Sequence, residues 1–349
     1  MSSLKQRIAD GLEGKFEGLD IGLSRLSEYI FGIQRKCITL IGGQSGSFKT
    51  TLLDFMLINS IRDAKAKGIV YNVFYNSFEI DALTKQCNWL SIEIFNKYGI
   101  IIAPEKIKGL GKNRLTADEQ LLVDSEIPTI EELFKEINFS FVSENPTGLR
   151  NKIWKFMEKR GTFLYEDYTD ENGMVKQKIV KFVPNNPDEV NLMCTDHMYL
   201  LKKERGFSTK DNIDKWSNYN VETKNLFDFS FINIQQFNQG LSSVERLKFK
   251  GADISPAQGD FRDTTNPFAD SDVCMGIFNP FKNDLPTCLG YEVNKLGDGM
   301  IMLKVIKNRL SKDNIAIGLF ANPKAGSFEE LPKSEEFKKN PKLYEQYAK

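Results

Sequence analysis

The stretch ITLIGGQSGSFKT, residues 38–50, constrains the fold of this chain more than any other part of its sequence. It reads as an apolar strand, a glycine-containing loop and the start of a helix. The loop follows the pattern G-x-x-x-x-G-K-[ST] of a phosphate-binding loop, except that Phe48 stands where the second glycine belongs. Backbone amides and the helix dipole attract phosphate at a helix N-terminus. This order of elements therefore favours a phosphate site over a tight turn with a chance lysine.

The residues of this loop have separate chemical uses. Lys49 can reach the β- and γ-phosphates of a nucleotide, and the Thr50 hydroxyl can ligate Mg²⁺. Gly43 and Gly46 supply conformational freedom in the bend. Because φ and ψ can be ordinary in the first turn of a helix, we expect Phe48 to be tolerated there, with its side chain turned away from the ligand. The predicted nucleotide-binding residues are Gly43, Gln44, Ser45, Gly46, Ser47, Phe48, Lys49, Thr50 and Thr51.

Composition and charge narrow the functional classes. Of the 349 residues, 41% are hydrophobic, and 47 basic residues balance 47 acidic ones. This balance argues against coating duplex DNA through bulk charge, but leaves room for a local basic groove or pore. Because the five cysteines lie far apart and His197 is the only histidine, zinc and multi-histidine metal sites are not expected. No apolar run reaches the roughly 18 residues of a membrane span, and the start of the chain lacks an apolar signal core, so we expect a cytoplasmic protein.

Strand-like and helix-like segments alternate along the chain, which predicts an α/β fold with a mostly parallel central sheet and flanking helices. Around the turn signal Asn172-Gly173, two β-like runs predict an inserted β-hairpin at about 162–183. Helical segments are expected from residue 100 through Gly161. The predicted strands are 36–42, 68–79, 188–196, 226–236, 271–280, 300–309 and 315–322, and the clearest helices are 50–67 and 81–99.

The sequence divides into three predicted regions. Residues 1–35 are polar and read as a lead-in or linker helix. Residues 36–325 contain the predicted sheet and form the core domain, including the hairpin. Residues 326–349 are rich in Lys and Glu, and we expect a charged tail that is a solvated helix or disordered.

Several segments, taken in order, resemble the C-terminal RecA-like ATPase domain of DnaB-type replicative helicases. The resemblance covers roughly residues 15–330. The family's Gly-Leu-Gln entry and phosphate loop are similar to FGIQRKCITLIGGQSGSFKT, and its Ser-Leu-Glu-Met segment is similar to YNSFEIDALTKQ at 75–86. The resemblance implies a RecA-like P-loop ATPase core that uses ATP and Mg²⁺.

The resemblance also implies catalytic roles. Glu79 would polarise the attacking water. Asp196, in a segment similar to Asp-Tyr-Leu-Gln-Leu, would join Thr50 in holding Mg²⁺. Gln236, in a segment similar to Ser-Gln-Leu-Asn-Arg, would sense the γ-phosphate. Lys307 and Arg309 match the family's Lys-Gln-Arg-Asn-Gly strand end, which reaches the γ-phosphate of the neighbouring subunit. Without the resemblance, these residues read as polar groups at strand ends and basic groups on an edge strand.

A DNA-binding loop is implied in the same way. QGDFRDTTNPFADSDV, at 258–273, resembles the family's Ser-Asp-Leu-Arg-Glu-Ser-Gly segment, which touches single-stranded DNA in the central pore. Thr265 stands where the family has glycine, so backbone contacts there are expected to differ. The matching and upstream candidates for DNA binding are Arg246, Lys248, Lys250, Arg262, Asp263 and Thr265.

Together these features predict an ATP-driven helicase that assembles as a hexameric ring and moves along single-stranded DNA. A primase or a helicase loader would be further partners. The short segment before the core indicates a compact relative without the family's N-terminal domain, from a bacteriophage acting in the host cytoplasm. Two alternatives remain. One is a RecA-like recombinase or mediator that forms filaments on single strands. The other is a non-hydrolysing nucleotide-binding scaffold, which Phe48 favours.

Overall fold

The computed structural model describes residues 3–238 and 254–347. Within this part of the chain, no helix is both long and apolar enough to cross a bilayer. The strands are β1 (Ile38–Gly43), β2 (Tyr71–Ser77), β3 (Ile137–Ser140), β4 (Gly161–Thr169), β5 (Val175–Pro184), β6 (Val190–Asp196), β7 (Ser230–Gln236), β8 (Val273–Phe278), β9 (Thr287–Cys288), β10 (Tyr291–Glu292), β11 (Met300–Asn308), β12 (Ile315–Asn322) and β13 (Ser327–Glu330).

Helices connect most of these strands, and short 3-10 turns occupy some of the loops. The α-helices are α1 (Ser3–Leu12), α2 (Ser24–Ile30), α3 (Lys49–Lys67), α4 (Ala82–Tyr98), α5 (Pro104–Ile107), α6 (Ala117–Glu136), α7 (Pro146–Met157), α8 (Thr209–Phe227), α9 (Asn266–Asp270), α10 (Val293–Leu296), α11 (Ser334–Lys339) and α12 (Leu343–Tyr347).

One large sheet organises the molecule. Among the described residues it contains nine strands, in the order β13-β12-β11-β8-β1-β7-β6-β2-β3. The strands from β8 to β3 in this order pair in parallel, whereas β11, β12 and β13 extend the sheet antiparallel. This confirms the predicted mostly parallel sheet. Strands β6 and β8 are buried along their whole length, as expected for parallel strands that are covered on both faces.

Two apolar layers cover the two faces of the sheet. On one face, Leu53 of α3 and Trp89 of α4 belong to the larger cluster of buried side chains. On the other face, Ile153 of α7 and Trp216 of α8 belong to the second cluster. Helix α4 begins where the Asp81 carboxylate accepts a hydrogen bond of 3.0 Å from the Thr84 amide, an N-cap that stops the chain fraying just after β2.

The predicted hairpin is present as β4 and β5, which pair antiparallel. Its base is held by an aromatic cluster in which Phe163 and Phe182 pack against Phe227 at the end of α8. Two further predictions, unlike that of the hairpin, differ from the structure. Strand β3 interrupts a region expected to be helical, and β7 begins at Ser230 because α8 extends through Phe227. Both errors involve short segments whose conformation depends on the strand or helix they pack against.

Both ends of the described chain pack on the core more closely than the sequence indicated. Near the start, Leu26 and Ile30 of α2 are buried in the larger cluster. Near the end, residues 326–349 were expected to be a solvated tail. Instead β13 joins the sheet edge, and Phe337 and Tyr344 pack together with ring centroids 4.6 Å apart. The apolar residues in this segment are few, but their spacing brings them onto one surface.

This packing predicts a measurable effect at Phe337, which is 1% exposed. Phe337→Ala should lower the free energy of unfolding by about 3–5 kcal/mol, because it leaves a cavity among buried side chains. The matched control is Lys338→Ala on the exposed side of α11, which should change stability by less than about 0.5 kcal/mol. Urea unfolding of the two variants tests this, and equal stabilities would mean that the segment does not pack.

Candidate nucleotide-binding site

The carboxyl ends of β1, β2, β6 and β7 meet at one edge of the sheet. Gly43 at the end of β1 pairs with Gln236 at the end of β7. Ser77 at the end of β2 pairs with Asp196 at the end of β6. In open α/β sheets, ligands bind in the crevice outside these ends. The loops that follow the strands form such a crevice here.

A cavity of about 330 Å³ lies in this crevice. It brings together residues from the carboxyl ends and following loops of five strands, β1, β2, β6, β7 and β8, and Asn88 from helix α4. Among them are Ile80, Asn88, His197 and Lys282, which sequence reasoning did not assign to the site, because no local motif marks them. The lining residues are Ser45, Gly46, Ser47, Phe48, Lys49, Thr50, Thr51, Glu79, Ile80, Asn88, Asp196, His197, Gln236 and Lys282.

Donors in the phosphate loop converge on one point. The Gln44 carbonyl oxygen accepts hydrogen bonds from the Lys49 ammonium at 2.6 Å, the Ser47 hydroxyl at 2.7 Å and the Ser47 amide at 3.3 Å. Burial lowers the pKa of Lys49 to about 8, and the negative charges of Asp196 and Glu79 oppose that shift. The loop therefore carries amide, hydroxyl and ammonium donors, which are the groups that bind phosphate oxygens, and here they are bonded to the loop's own Gln44 carbonyl.

The loop glycines meet different demands. A Cβ on Gly43 would lie 2.5 Å from the Ser47 hydroxyl oxygen and 2.6 Å from Ile277, so the loop can fold back on β1 only if this residue is glycine. Gly46 has a φ of 68°, in the left-handed region that glycine adopts without steric cost.

The expectation that Phe48 takes ordinary backbone angles is wrong. Phe48 has φ 66° and ψ 23°, a left-handed conformation, and it stands at the N-cap of α3. The loop therefore keeps the backbone shape that glycine allows at this position, although a Cβ is present. Left-handed geometry in a non-glycine residue costs roughly 1–2 kcal/mol. The Phe48 ring packs against the edge of the larger apolar cluster, which offsets part of that cost.

The side chain of Asp196 fits a role as a metal ligand. It is almost fully buried, and neither carboxylate oxygen makes a hydrogen bond within the described part of the chain; the Thr50 hydroxyl is near but not in hydrogen-bonding geometry. Burial raises the pKa of Asp196, and the positive charge of Lys85 partly offsets the rise. Among the described residues, no group of three or more acidic, Cys or His side chains could hold a metal. The buried Asp196 carboxylate is an oxygen ligand of the kind that Mg²⁺ prefers, since this ion is bound by one or two protein oxygens together with substrate phosphates.

Glu79 and His197 lie across the cavity from the loop. The Glu79 side chain is 57% exposed, and its carboxylate oxygen is 3.9 Å from His197 Nε2. Burial lowers the pKa of His197, so the neutral imidazole dominates at neutral pH. Glu79 therefore projects into the open part of the cavity, where a water molecule can approach it.

Gln236 connects the cavity to the loop at 258–265. The Gln236 carbonyl oxygen accepts a hydrogen bond of 3.2 Å from the Arg262 amide. The Gln235 side-chain amide donates to the Arg262 carbonyl at 2.9 Å, and the Tyr199 hydroxyl donates to the same oxygen at 2.7 Å. The loop at 258–265 is therefore hydrogen-bonded directly to the end of β7. The Arg262 side chain itself is exposed.

Of the candidate DNA-binding residues, Arg262, Asp263 and Thr265 lie in the described part of the chain, and these three do not line the cavity. Thr265 has a φ of −101°, so the residue that replaces the family's glycine needs no left-handed backbone. Asp263, two residues earlier, has a φ of 64°. The remaining candidates, Arg246, Lys248 and Lys250, lie outside the described residues.

Lys307 and Arg309 lie at the opposite edge of the sheet. Lys307 pairs with Cys274 at the start of β8, whereas the cavity lies beyond Phe278 at its end. At about 3.3 Å per residue, roughly 13 Å of strand separates these positions. The Lys307 ammonium and the Arg309 guanidinium both donate to the Ala269 carbonyl, at 2.7 and 2.9 Å. Neither side chain can reach the cavity of its own chain.

Backbone geometry at position 48 predicts an inverted preference between alanine and glycine. Phe48→Gly should be more stable than Phe48→Ala by about 1 kcal/mol, because only glycine adopts left-handed angles freely. At exposed Ala66, in the last turn of α3, the reverse holds, and Ala66→Gly should cost up to about 1 kcal/mol. Thermal or urea unfolding measures both differences. The same sign at both positions would contradict the left-handed geometry of residue 48.

Comparison with known proteins supports the fold. No family model and no curated protein matches the sequence. Among solved structures, the chain is similar to one described as an ATPase domain, with a TM-score of 0.67 and 15% identity over 95% of this chain and 100% of that chain. A structure described as a DnaB-like replicative helicase and its interactions with primase also has a TM-score of 0.67, with 14% identity over 95% of this chain and 68% of that one. The motif order and these similarities agree, and the chain has the RecA-like fold of a DnaB-type helicase ATPase domain.

Proposed function

We propose that this protein is an ATP-driven motor that assembles as a hexameric ring and translocates on single-stranded DNA. The observation that carries the proposal is the convergence of Lys49, Thr50, Glu79, Asp196 and Gln236 on one cavity. Because most of these residues are far apart in the sequence, their meeting in one cavity argues against a chance cluster of polar side chains. Each also has the side-chain chemistry that phosphoryl transfer from a nucleotide requires.

The residues divide the work of hydrolysis. The loop amides and Lys49 bind the phosphates and offset their charge. Thr50 and Asp196 would hold Mg²⁺, which would supply positive charge to offset the charge of the phosphates. Glu79 accepts a proton from the attacking water, for which its exposed position leaves room. Gln236, at the end of β7, lines the cavity and would sense the γ-phosphate.

Placement of Arg309 supports an oligomer. Its guanidinium is 53% exposed and lies at the edge of the sheet away from the cavity of the same chain. If the Arg309 guanidinium stabilises a transferring phosphoryl group, it does so in the cavity of a neighbouring copy. Such an arrangement is a head-to-tail interface, which generates a closed ring or an open filament. We favour the ring, because the fold is that of DnaB-type helicases.

The contacts of β7 supply a route from nucleotide to DNA. When hydrolysis removes the γ-phosphate, Gln236 loses its contact, and its backbone is bonded directly to the loop that carries Arg262. An exposed Arg262 suits contact with a DNA phosphate. The neighbour described with primase leads us to propose a primase or helicase loader as a further partner, in the cytoplasm of a bacteriophage host.

ATP hydrolysis with and without single-stranded DNA tests the motor directly. Wild-type protein should hydrolyse Mg-ATP, and single-stranded DNA should stimulate the rate. Lys49→Ala should lower turnover at least about 100-fold, because it removes the main phosphate-binding cation. Phe48→Gly is the matched loop control and should retain near-normal turnover.

The alternatives predict different results. Activity that appears only in Phe48→Gly would favour the non-hydrolysing scaffold. Strand exchange by open filaments would favour the recombinase. Absence of stimulation by single-stranded DNA at every salt concentration would contradict a translocating motor.

A mixing experiment tests the contribution from the neighbouring copy. Glu79→Gln and Arg309→Ala should each be inactive alone. In an equal mixture, about one quarter of the sites would combine an intact Glu79 with an intact Arg309 from the next subunit in a head-to-tail assembly. Turnover should recover toward that fraction. No recovery, in a mixture shown to co-assemble, would place Arg309 outside the neighbour's site.

A further inference from the structure

A second lysine contacts the phosphate loop from a distant part of the chain. Lys282 lies in the turn after β8, and its ammonium donates to the Gly46 carbonyl at 2.8 Å. The same ammonium is 5.5 Å from the centre of the Phe48 ring, a cation–π distance, and 4.0 Å from the Asp298 carboxylate. No sequence motif marks Lys282, and the mechanism above does not use it.

The turn that carries Lys282 is itself anchored. Asn279 is buried at the end of β8; its side-chain oxygen accepts from the Lys282 amide at 3.1 Å, and its side-chain nitrogen donates to the Asp298 carboxylate at 2.8 Å. Next to Lys282, the Asn283 side chain donates to the Gln44 side-chain oxygen at 3.3 Å. The turn therefore docks on the loop at two points and holds the ammonium in a defined place.

Peptide geometry gives the Lys282 contact a consequence inside the loop. The Gly46 carbonyl and the Ser47 N–H belong to one trans peptide unit, so they point in opposite directions. Lys282 holds the Gly46 carbonyl from one side, and the Ser47 N–H on the other side of the peptide unit donates to the Gln44 carbonyl oxygen at 3.3 Å. Holding this peptide unit fixes the orientation of the loop between Gly46 and Ser47, and with it the turn that closes on the Gln44 carbonyl.

Phe48 makes this support more necessary than in a loop with glycine. Its left-handed conformation carries a steric cost, and relaxation of that strain would rotate the peptide units on either side. Lys282 contacts both the ring of Phe48, which carries the strain, and the carbonyl of Gly46, two residues earlier. It also adds positive charge at the rim of the cavity, beside the expected phosphates.

We propose, on the basis of the nucleotide-binding function proposed above, that Lys282 is a positioning residue that holds the Phe48-containing loop in its phosphate-binding shape. In this role it replaces, through a tertiary contact, the conformational freedom that glycine provides in the usual motif. Removing Lys282 weakens triphosphate binding without unfolding the protein, because its side chain is nearly half exposed.

The test measures the affinity of the full chain for Mg-ATP and Mg-ADP by isothermal titration calorimetry. Lys282→Met should weaken binding about tenfold, as expected for loss of one charge-assisted hydrogen bond. Lys282→Arg keeps a donor and a cation over the ring, and should stay within about threefold of wild type. Lys295→Met is the matched control, because that lysine pairs with Glu292 away from the cavity and should leave affinity unchanged. All three variants should melt within a few degrees of wild type.

A double-mutant cycle tests the link to Phe48. In a Phe48→Gly background, Lys282→Met should weaken Mg-ATP binding only about threefold, since glycine adopts the left-handed angles without support. Equal losses in both backgrounds would overturn the proposal, as would wild-type affinity in Lys282→Met. Wild-type protein that binds Mg-ATP, with Lys49→Ala that does not, establishes nucleotide binding independently. If the wild-type protein does not bind Mg-ATP, the proposed function is wrong, and the role proposed for Lys282 is wrong with it.

Discussion

Parallel pairing of β1 with β7 and β8 is the constraint on which the rest of the structure depends. This register sets Gly43 opposite Gln236 on one side and Ile277 on the other. It brings the phosphate loop, the candidate sensor and the turn of Lys282 to the same edge of the sheet. Since parallel strands must be joined by crossovers, the residues of the site come from distant parts of the chain. The register of backbone hydrogen bonds, more than any side-chain contact, assembles the cavity.

A buried ion pair ties together the elements behind the cavity. Lys85 of α4 is fully buried, and its ammonium lies 3.0 Å from both carboxylate oxygens of Asp54 on α3. The Tyr75 hydroxyl of β2 donates to Asp54 at 2.7 Å, which completes the hydrogen bonding that such a pair requires. Helix α3 begins at the phosphate loop, and α4 begins just after Glu79. The pair therefore links the helix that follows the phosphate loop to the helix that follows Glu79, and its lysine also favours the charged form of Asp196.

The chain has equal numbers of basic and acidic residues, but particular charged side chains gather at two opposite edges of the sheet. Cations at the cavity come from Lys49 and Lys282, opposite the carboxylates of Glu79 and Asp196. At the far edge of the sheet, Lys307 and Arg309 hold the carbonyl of Ala269 near the end of α9. One copy therefore has the candidate nucleotide cavity at one edge of the sheet and the side chains of Lys307 and Arg309 at the other. Two edges of unlike character suit the head-to-tail assembly proposed here.

By itself, the sequence determined the local features. Local sequence pattern was enough to predict the order of strand, loop and helix at 38–67 and the turn of the hairpin, because these features depend on neighbouring residues. The same pattern singled out Lys49 and Thr50. Only the tertiary structure decided the strand order, the existence of β3, the packing of residues 327–347, and the approach of Lys282 to the loop. Phe48 shows the division most clearly: sequence located it in the motif, but the left-handed angles it adopts are imposed by the loop and by contacts with side chains far away in the chain. Such contacts connect residues hundreds of positions apart, and no local pattern of side chains encodes them.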